Sequence, residues 1–523
     1  MKKKYIVGIL CAVAACLIGW GGYEAYASTG TKSQSNTLVF SIPSTPPTMN
    51  PIYANSNSSL MVTDALYEPL YTFNQNGSIT YNGVAESITP SNDYKTYTVK
   101  LKQNLKWSDG QPLTAKDVVF TFNTIMNPKN NALIMQTFMI DDKPVTCKAV
   151  NDDTIEFNLP QASLGFEANL SQLYPIPEHI YKNSTDIKDS SANKNPVGDG
   201  PYKFESEEAG TTVTLVRNPY FYGEKAKTDK VVFRVIANNE SGIAALESNQ
   251  LSAGLLSEKL LQNPKIKANY NITNFGSGLV NSIIFNFKNK DLDNLKVREA
   301  ISYALNRTAL TEAEYGNSKY VKPAYSVFSP ETQYYTNDVT KYDYNLDKAK
   351  ELMKESGESN VTLKLIYASG FEWAKNQAVL IQQELGKIGI KVELQPVALN
   401  AFFQEIFTPN NNKYDMAINE YNMGTTPDGY SIMFTTGGAN NSANFNNAQI
   451  DKLFKEASES TNSNERAELY KEIQQELSKD IPLYTINYPE TILGVSNKLG
   501  GVKEAIPTPI SLFSNLGALY YKN

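Results

Sequence analysis

At 523 residues the chain is longer than one hydrophobic core organises, so two or three domains are expected. With 41% hydrophobic and 20% charged residues it reads as a soluble globular protein, and its net charge of −6 offers no basic stripe for a nucleic-acid backbone. One histidine, His179, and a single body cysteine, Cys147, are too few for a His/Cys zinc site, a Ser-His-Asp triad or an internal disulfide.

The chain opens as an export signal. Lys2, Lys3 and Lys4 precede an apolar run from Tyr5 to Trp20; Gly21-Gly22 breaks it, and Ala25-Tyr26-Ala27 supplies the small residues a signal peptidase requires. Three fates are open: cleavage after Ala27, lipidation of Cys16 in Val13-Ala14-Ala15-Cys16, or retention of residues 1–27 as an anchor. All three put the body outside the cytoplasm, at the outer face of the cytoplasmic membrane. Residues 28–35 then read as a linker.

From Leu38 the pattern is mixed α/β. Thr37 to Ile42 reads as a strand, and Pro43, Pro46, Pro47 and Pro51 force an irregular segment after it. Tyr94 to Leu101 alternates as a half-buried strand, followed by a turn at Trp107-Ser108-Asp109-Gly110. Thr114 is the expected N-cap of a helix through Ile125, with Asp117 in its first turn. Residues 195–201 form a dense turn before a strand at Tyr202. A helix is expected over 292–310 and a second over 347–356. Residues 363–394 read as a strand, a helix and a strand, with Gly389 as helix stop. A long helix over 449–479 is interrupted at Thr461-Asn462-Ser463, and no internal repeat is visible.

Several of these segments, in this order, resemble the oligopeptide/dipeptide-binding family of bacterial extracellular solute-binding proteins, the receptors of ATP-driven (ABC) importers. Tyr97-Thr98-Val99-Lys100-Leu101 with Lys106-Trp107-Ser108-Asp109-Gly110 is similar to its signature region. Asn195-Pro196-Val197-Gly198-Asp199-Gly200-Pro201-Tyr202 and Arg217-Asn218-Pro219-Tyr220 resemble its second and third landmarks. Val297-Arg298-Glu299-Ala300 and Tyr342-Asp343-Tyr344-Asn345 resemble two helices further on. Trp107, Arg217 and Arg298 are read as scaffold.

The resemblance implies a three-domain periplasmic-binding-protein-like α/β fold of two lobes. Domain I would be 36–70, 198–287 and 491–523, domain II 71–197 and domain III 288–490. Hinge strands are expected near Asn286–Lys290 and Asn487–Glu490. It implies a monomer without cofactor or catalytic role, which binds peptides by their backbone and serves a membrane permease and its ATPase. One wall of the site is expected at Tyr53, Ala54, Asn55 and Ser56, the other at Glu420, Tyr421, Asn422, Met423 and Gly424. Peptide binders of the family carry an Asp, a few residues before the Pro of this second segment, that pairs with the ligand ammonium. Alignment on Pro427 puts Met423 there, and a thioether cannot neutralise an ammonium. Glu420 or Asp428 is left to substitute, or the ligand is an oligosaccharide or other polar solute. An all-carboxylate hydrolase is the remaining alternative.

Overall fold

The computed structural model describes residues 36–74, 77–132, 134–140, 143–316, 319–509 and 511–522. The export segment, with Cys16 and the linker, lies outside the described residues. Among those described, no helix is long and apolar enough to cross a membrane.

Strand β1 (Thr37–Ile42) buries Leu38, Phe40 and Ile42 on one face, as its period of two dictates. After the prolines, Ser56 starts helix α1 (Asn57–Leu66) by accepting from Ser59 N at 3.2 Å. Next come strands β2 (Ala85–Pro90), β3 (Thr96–Leu101), β4 (Thr146–Ala149) and β5 (Thr154–Asn158), an antiparallel sheet in the order β2-β3-β5-β4. The expected strand from Tyr94 begins two residues later. Tyr94 sits in a turn at φ 52°, its N–H bonded to Ser91 O at 2.9 Å.

Helix α2 (Ala115–Met126) covers this sheet. Thr114 caps it by accepting from Lys116 N at 3.3 Å, and Asp117 reaches back to Thr114 N at 2.8 Å. Phe122 of α2 meets Phe138 and Phe157 edge-on, and Phe166, first residue of the short helix α3 (Phe166–Leu170), closes the cluster. Trp107 is fully buried, and Gly110 takes φ 90° in the turn beside it.

Strands β6 (Tyr202–Glu208), β7 (Thr212–Arg217) and β8 (Lys230–Val235) return to β1, which pairs with β8 in parallel. Arg217 is scaffold as expected: it bonds Asp229 and Ala226 O, each at 2.6 Å.

The largest sheet comprises β9 (Ala253–Leu255), β10 (Tyr270–Gly276), β11 (Val280–Phe285), β12 (Val321–Pro323), β13 (Thr362–Ala368), β14 (Lys391–Val397), β15 (Met416–Tyr421) and β16 (Leu483–Ser496). Its path runs β9-β16-β11-β15-β13-β14, and β10 and β12 also pair with β16. The single helix expected over 292–310 is instead three: a short Lys290–Asp293 turn, α4 (Leu295–Ala304) and α5 (Arg307–Tyr315). Asn289, Asn294 and Asn306 each turn a side-chain oxygen onto the next backbone N–H groups, restarting a helix rather than continuing one. Arg298 is scaffold as well, bonding Leu292 O at 2.7 Å and Asp480 O at 2.9 Å.

Helix α6 (Leu346–Ser356) packs beside α4, and α7 (Glu372–Gly386) links the parallel pair β13 and β14 as the expected βαβ unit. The interrupted helix is α8 (Ala448–Glu459) followed by α9 (Ser463–Asp480). Ile283, Phe285, Met416 and Ile418 pack on the face covered by α4 to α7, while Ile284 and Ala417 face α8 and α9. Strand β16 runs through both environments. Leu483 to Asn487 pair with β11, and Glu490 to Ser496 pair with β10.

Thr114→Ala removes the α2 cap and is expected to cost about 1 kcal/mol. A lowered urea midpoint checks this; an unchanged one means the cap contributes nothing there.

Candidate functional site

Where β16 exchanges β11 for β10, the chain between those two strands turns through Ser277 and Gly278, the latter at φ 72°. The turn after β15 docks onto it. Asn422 donates Nδ2 to Ser277 O at 3.1 Å and accepts from Gly424 N at 2.8 Å. Thr332 Oγ1 donates to Gly424 O at 3.0 Å, fixing the same turn from behind. From the β1/α1 side comes Asp64, and from the C-terminal stretch come Thr508, Pro509, Ser511 and Ser514. Together with Glu331 these segments enclose a cavity of about 370 Å³.

Two carboxyls face this cavity. Burial pushes the Asp64 carboxyl up to about 6, opposed by the Ser511 hydroxyl, which donates to it. Glu331 lies across Gly276, filling the position a Cβ there would need. Neither residue belongs to the two expected walls. Nothing local in the sequence marks them, because Asp64 looks like one polar turn of an amphipathic helix and Glu331 like a loop residue after Pro330.

The expected walls are only partly brought together. Asn422 and Gly424 line the cavity, whereas residues 53–56 do not. Tyr53 is buried, its hydroxyl without a partner among the described residues, and burial with the Asp186 and Asp189 charges pushes it up to about 12. Ala54 is half-buried, Asn55 is exposed, and Ser56 is occupied as the α1 cap. Tyr421 is buried and donates to Val327 O at 2.6 Å. Met423 packs on the core beneath α8 and α9.

Of the two substitute anchors, Asp428 is already engaged. It pairs with the buried guanidinium of Arg466 and accepts from Tyr470 OH at 2.6 Å. Drawing it away would strand a buried charge, at a cost on the order of 3–5 kcal/mol. Gly165, just before α3, lies so close that a Cβ there would stand 2.8 Å from an Asp428 carboxylate oxygen. Glu420 points to the α5/α7 side, where burial raises its carboxyl above the usual range and Asn281 and Tyr315 bond to it. His179 Nε2 pairs with Asp109 Oδ2 at 2.8 Å. Among the described residues no three His, Cys, Asp or Glu side chains gather as a metal group.

Comparison with known proteins adds the following. The family model described as bacterial extracellular solute-binding proteins, family 5 Middle, matches residues 80–444. The oligopeptide-binding protein AppA of Bacillus subtilis is 26% identical, over 96% of this chain and 97% of that one. The crystal structure of the ABC transporter substrate-binding protein CtaP from Listeria monocytogenes superposes with a TM-score of 0.89 at 34% identity, covering 94% of this chain and all of that one. A putative peptide-binding protein AppA from Clostridium difficile gives 0.85 at 35% identity, over 93% and 100%.

A carboxyl raised by folding contributes stability fully below its unfolded range and loses it as pH rises through the folded value. For Asp64 that loss spans roughly pH 4 to 6. Asp64→Asn is therefore expected to raise the thermal midpoint above pH 6 and leave it nearly unchanged near pH 4. Equal midpoints at both pH values would mean that Asp64 is as well hydrated folded as unfolded.

Proposed function

Because this chain belongs to the bacterial extracellular solute-binding proteins of family 5, we propose that it holds an oligopeptide in the cavity between Asn422, Gly424, Glu331 and Asp64. It is the substrate-binding component of an ABC importer, working with a membrane permease and its ATPase. Its fold is that of the periplasmic binding proteins, and its place is outside the cytoplasm. The Bacillus subtilis relative is an oligopeptide-binding protein, and we carry that ligand class over to this chain. Binding and release are its whole task; no catalytic role is assigned.

The supporting observation is the cavity itself. It lies beside the stretch of β16 where the pairing partner changes from β11 to β10, and Asp64 and Glu331 are among its lining residues. We place the hinge at Ser277–Leu279 and at Asn487–Glu490, so the first crossing moves to the other end of β11 from the expected 286–290. For the rest we keep the three-domain division at the limits expected from the sequence. With Met423 half-buried against the core and Asp428 held by Arg466, we assign the amine anchor to Glu331 and Asp64. Tyr53 and Tyr421 are buried, so the aromatic wall that favoured an oligosaccharide is not at this cavity. Export follows from residues 2–27, and we favour processing after Ala27 over lipidation of Cys16.

Calorimetric titration with mixed tri- to octapeptides tests the reading. Binding is expected, with N-acetylated peptides and the Glu331→Gln variant weaker by about tenfold or more, the worth of one charge-assisted hydrogen bond. No peptide binding, or binding indifferent to acetylation, contradicts it.

A further inference from the structure

On the face of the large sheet covered by α5 and α7, three polar side chains form a row across neighbouring strands. Asn281 of β11 stands in register with Glu420 of β15 on one side and Asn487 of β16 on the other. The pairing of β11 with β16 shifts between Asn281 and Ser282, and that bulge turns Asn487 toward α5, where its Nδ2 donates to Thr311 at 3.4 Å. Over the row, Glu314 of α5 accepts from Asn281 Nδ2 at 3.2 Å and from Gln377 Nε2 of α7 at 3.0 Å. Tyr315 bonds to both carboxyls.

The imbalance among these side chains is one of acceptors. Asn281, Gln377 and Asn487 are each 0% exposed, and the amide oxygen of each has no partner among the described residues. Buried polar atoms normally find partners, so three orphaned oxygens beside two carboxyls point to a ligand that accepts electron pairs. All the available donors are oxygen. Two carboxylates balance a double positive charge, and carboxylate with amide oxygens at mixed geometry suits a large hard cation better than one demanding a strict octahedron.

We propose that this cluster binds a divalent cation of the calcium type, through Glu314, Glu420 and the amide oxygens of Asn281, Gln377 and Asn487. The cation answers the two carboxyls and the three unpartnered amide oxygens together. It ties β11, β15 and β16 to α5 and α7 at the end of the sheet where β16 leaves for the other lobe. The site is separate from the peptide cavity, and the inference stands or falls without it.

The test uses the full exported chain stripped with a chelator and then supplied with Ca²⁺, Mg²⁺, Na⁺ or K⁺. Ca²⁺ is expected to raise the thermal midpoint saturably and to add one ion in native mass spectrometry, with Mg²⁺ much weaker. Gln377→Leu should abolish the response. Glu420→Gln, which preserves shape, should weaken it at least tenfold, so a misfolded Gln377→Leu still leaves a readout. No response to any cation, a response to Na⁺ or K⁺ alone, or a Ca²⁺ response undiminished in Glu420→Gln overturns the proposal.

Discussion

Strand β16 belongs to two packing environments at once, and the arrangement of the molecule depends on that. Its 14 residues, Leu483–Ser496, span about 46 Å at the usual rise of a strand. They are buried along almost their whole length, except at Glu490 and Thr491, where the pairing partner has just changed from β11 to β10. A backbone shared in this way holds the two halves together through ladder hydrogen bonds on both sides. It leaves rotation about a few residues as the easy motion, which suits a protein that must close over a solute and open again. The cavity proposed for the peptide lies beside that point, lined by Asp64, Ser277, Glu331 and Asn422.

Charge is handled differently on the two sides of the sheet. On the α8/α9 side, Asp428 is neutralised by Arg466 and Tyr470, and Gly165 lets the neighbouring lobe approach that pair closely. On the α5/α7 side, among the described residues, no Lys or Arg forms an ion pair with Glu314 or Glu420, and both carboxyls are pushed up by burial. At the cavity, burial pushes the Asp64 carboxyl up to about 6, opposed by the Ser511 hydroxyl that donates to it. Each unmatched carboxyl is a cost to the fold. That cost is offset where a cationic group arrives, which ties the least stable electrostatics to the places where ligands are proposed.

The elements were largely legible in the sequence because they rest on local signals. The capping box at Thr114 and Asp117, the interruption near Asn462 and the parallel βαβ unit all came from patterns within about a dozen residues. The run over 292–310 was misread because its apolar spacing is helical throughout, while Asn294 and Asn306 act as caps whose competition with the helix has no periodic signature. The site was less legible for a different reason. Glu331, Asp64 and Ser511 meet through contacts between residues hundreds of positions apart, and a strand bulge decides which way Asn487 points. Met423 stands out in the sequence as a thioether where the resemblance implies an Asp; in the structure it is half-buried and packs against the core beside α8 and α9.

Native mass spectrometry of the protein purified without denaturation tests the central claim most directly, since a closed binder retains its ligand. The account predicts adducts that fragment as short peptides of mixed sequence and are lost together on unfolding. A bare protein that also ignores added peptides, or an adduct that fragments as an oligosaccharide, would contradict it.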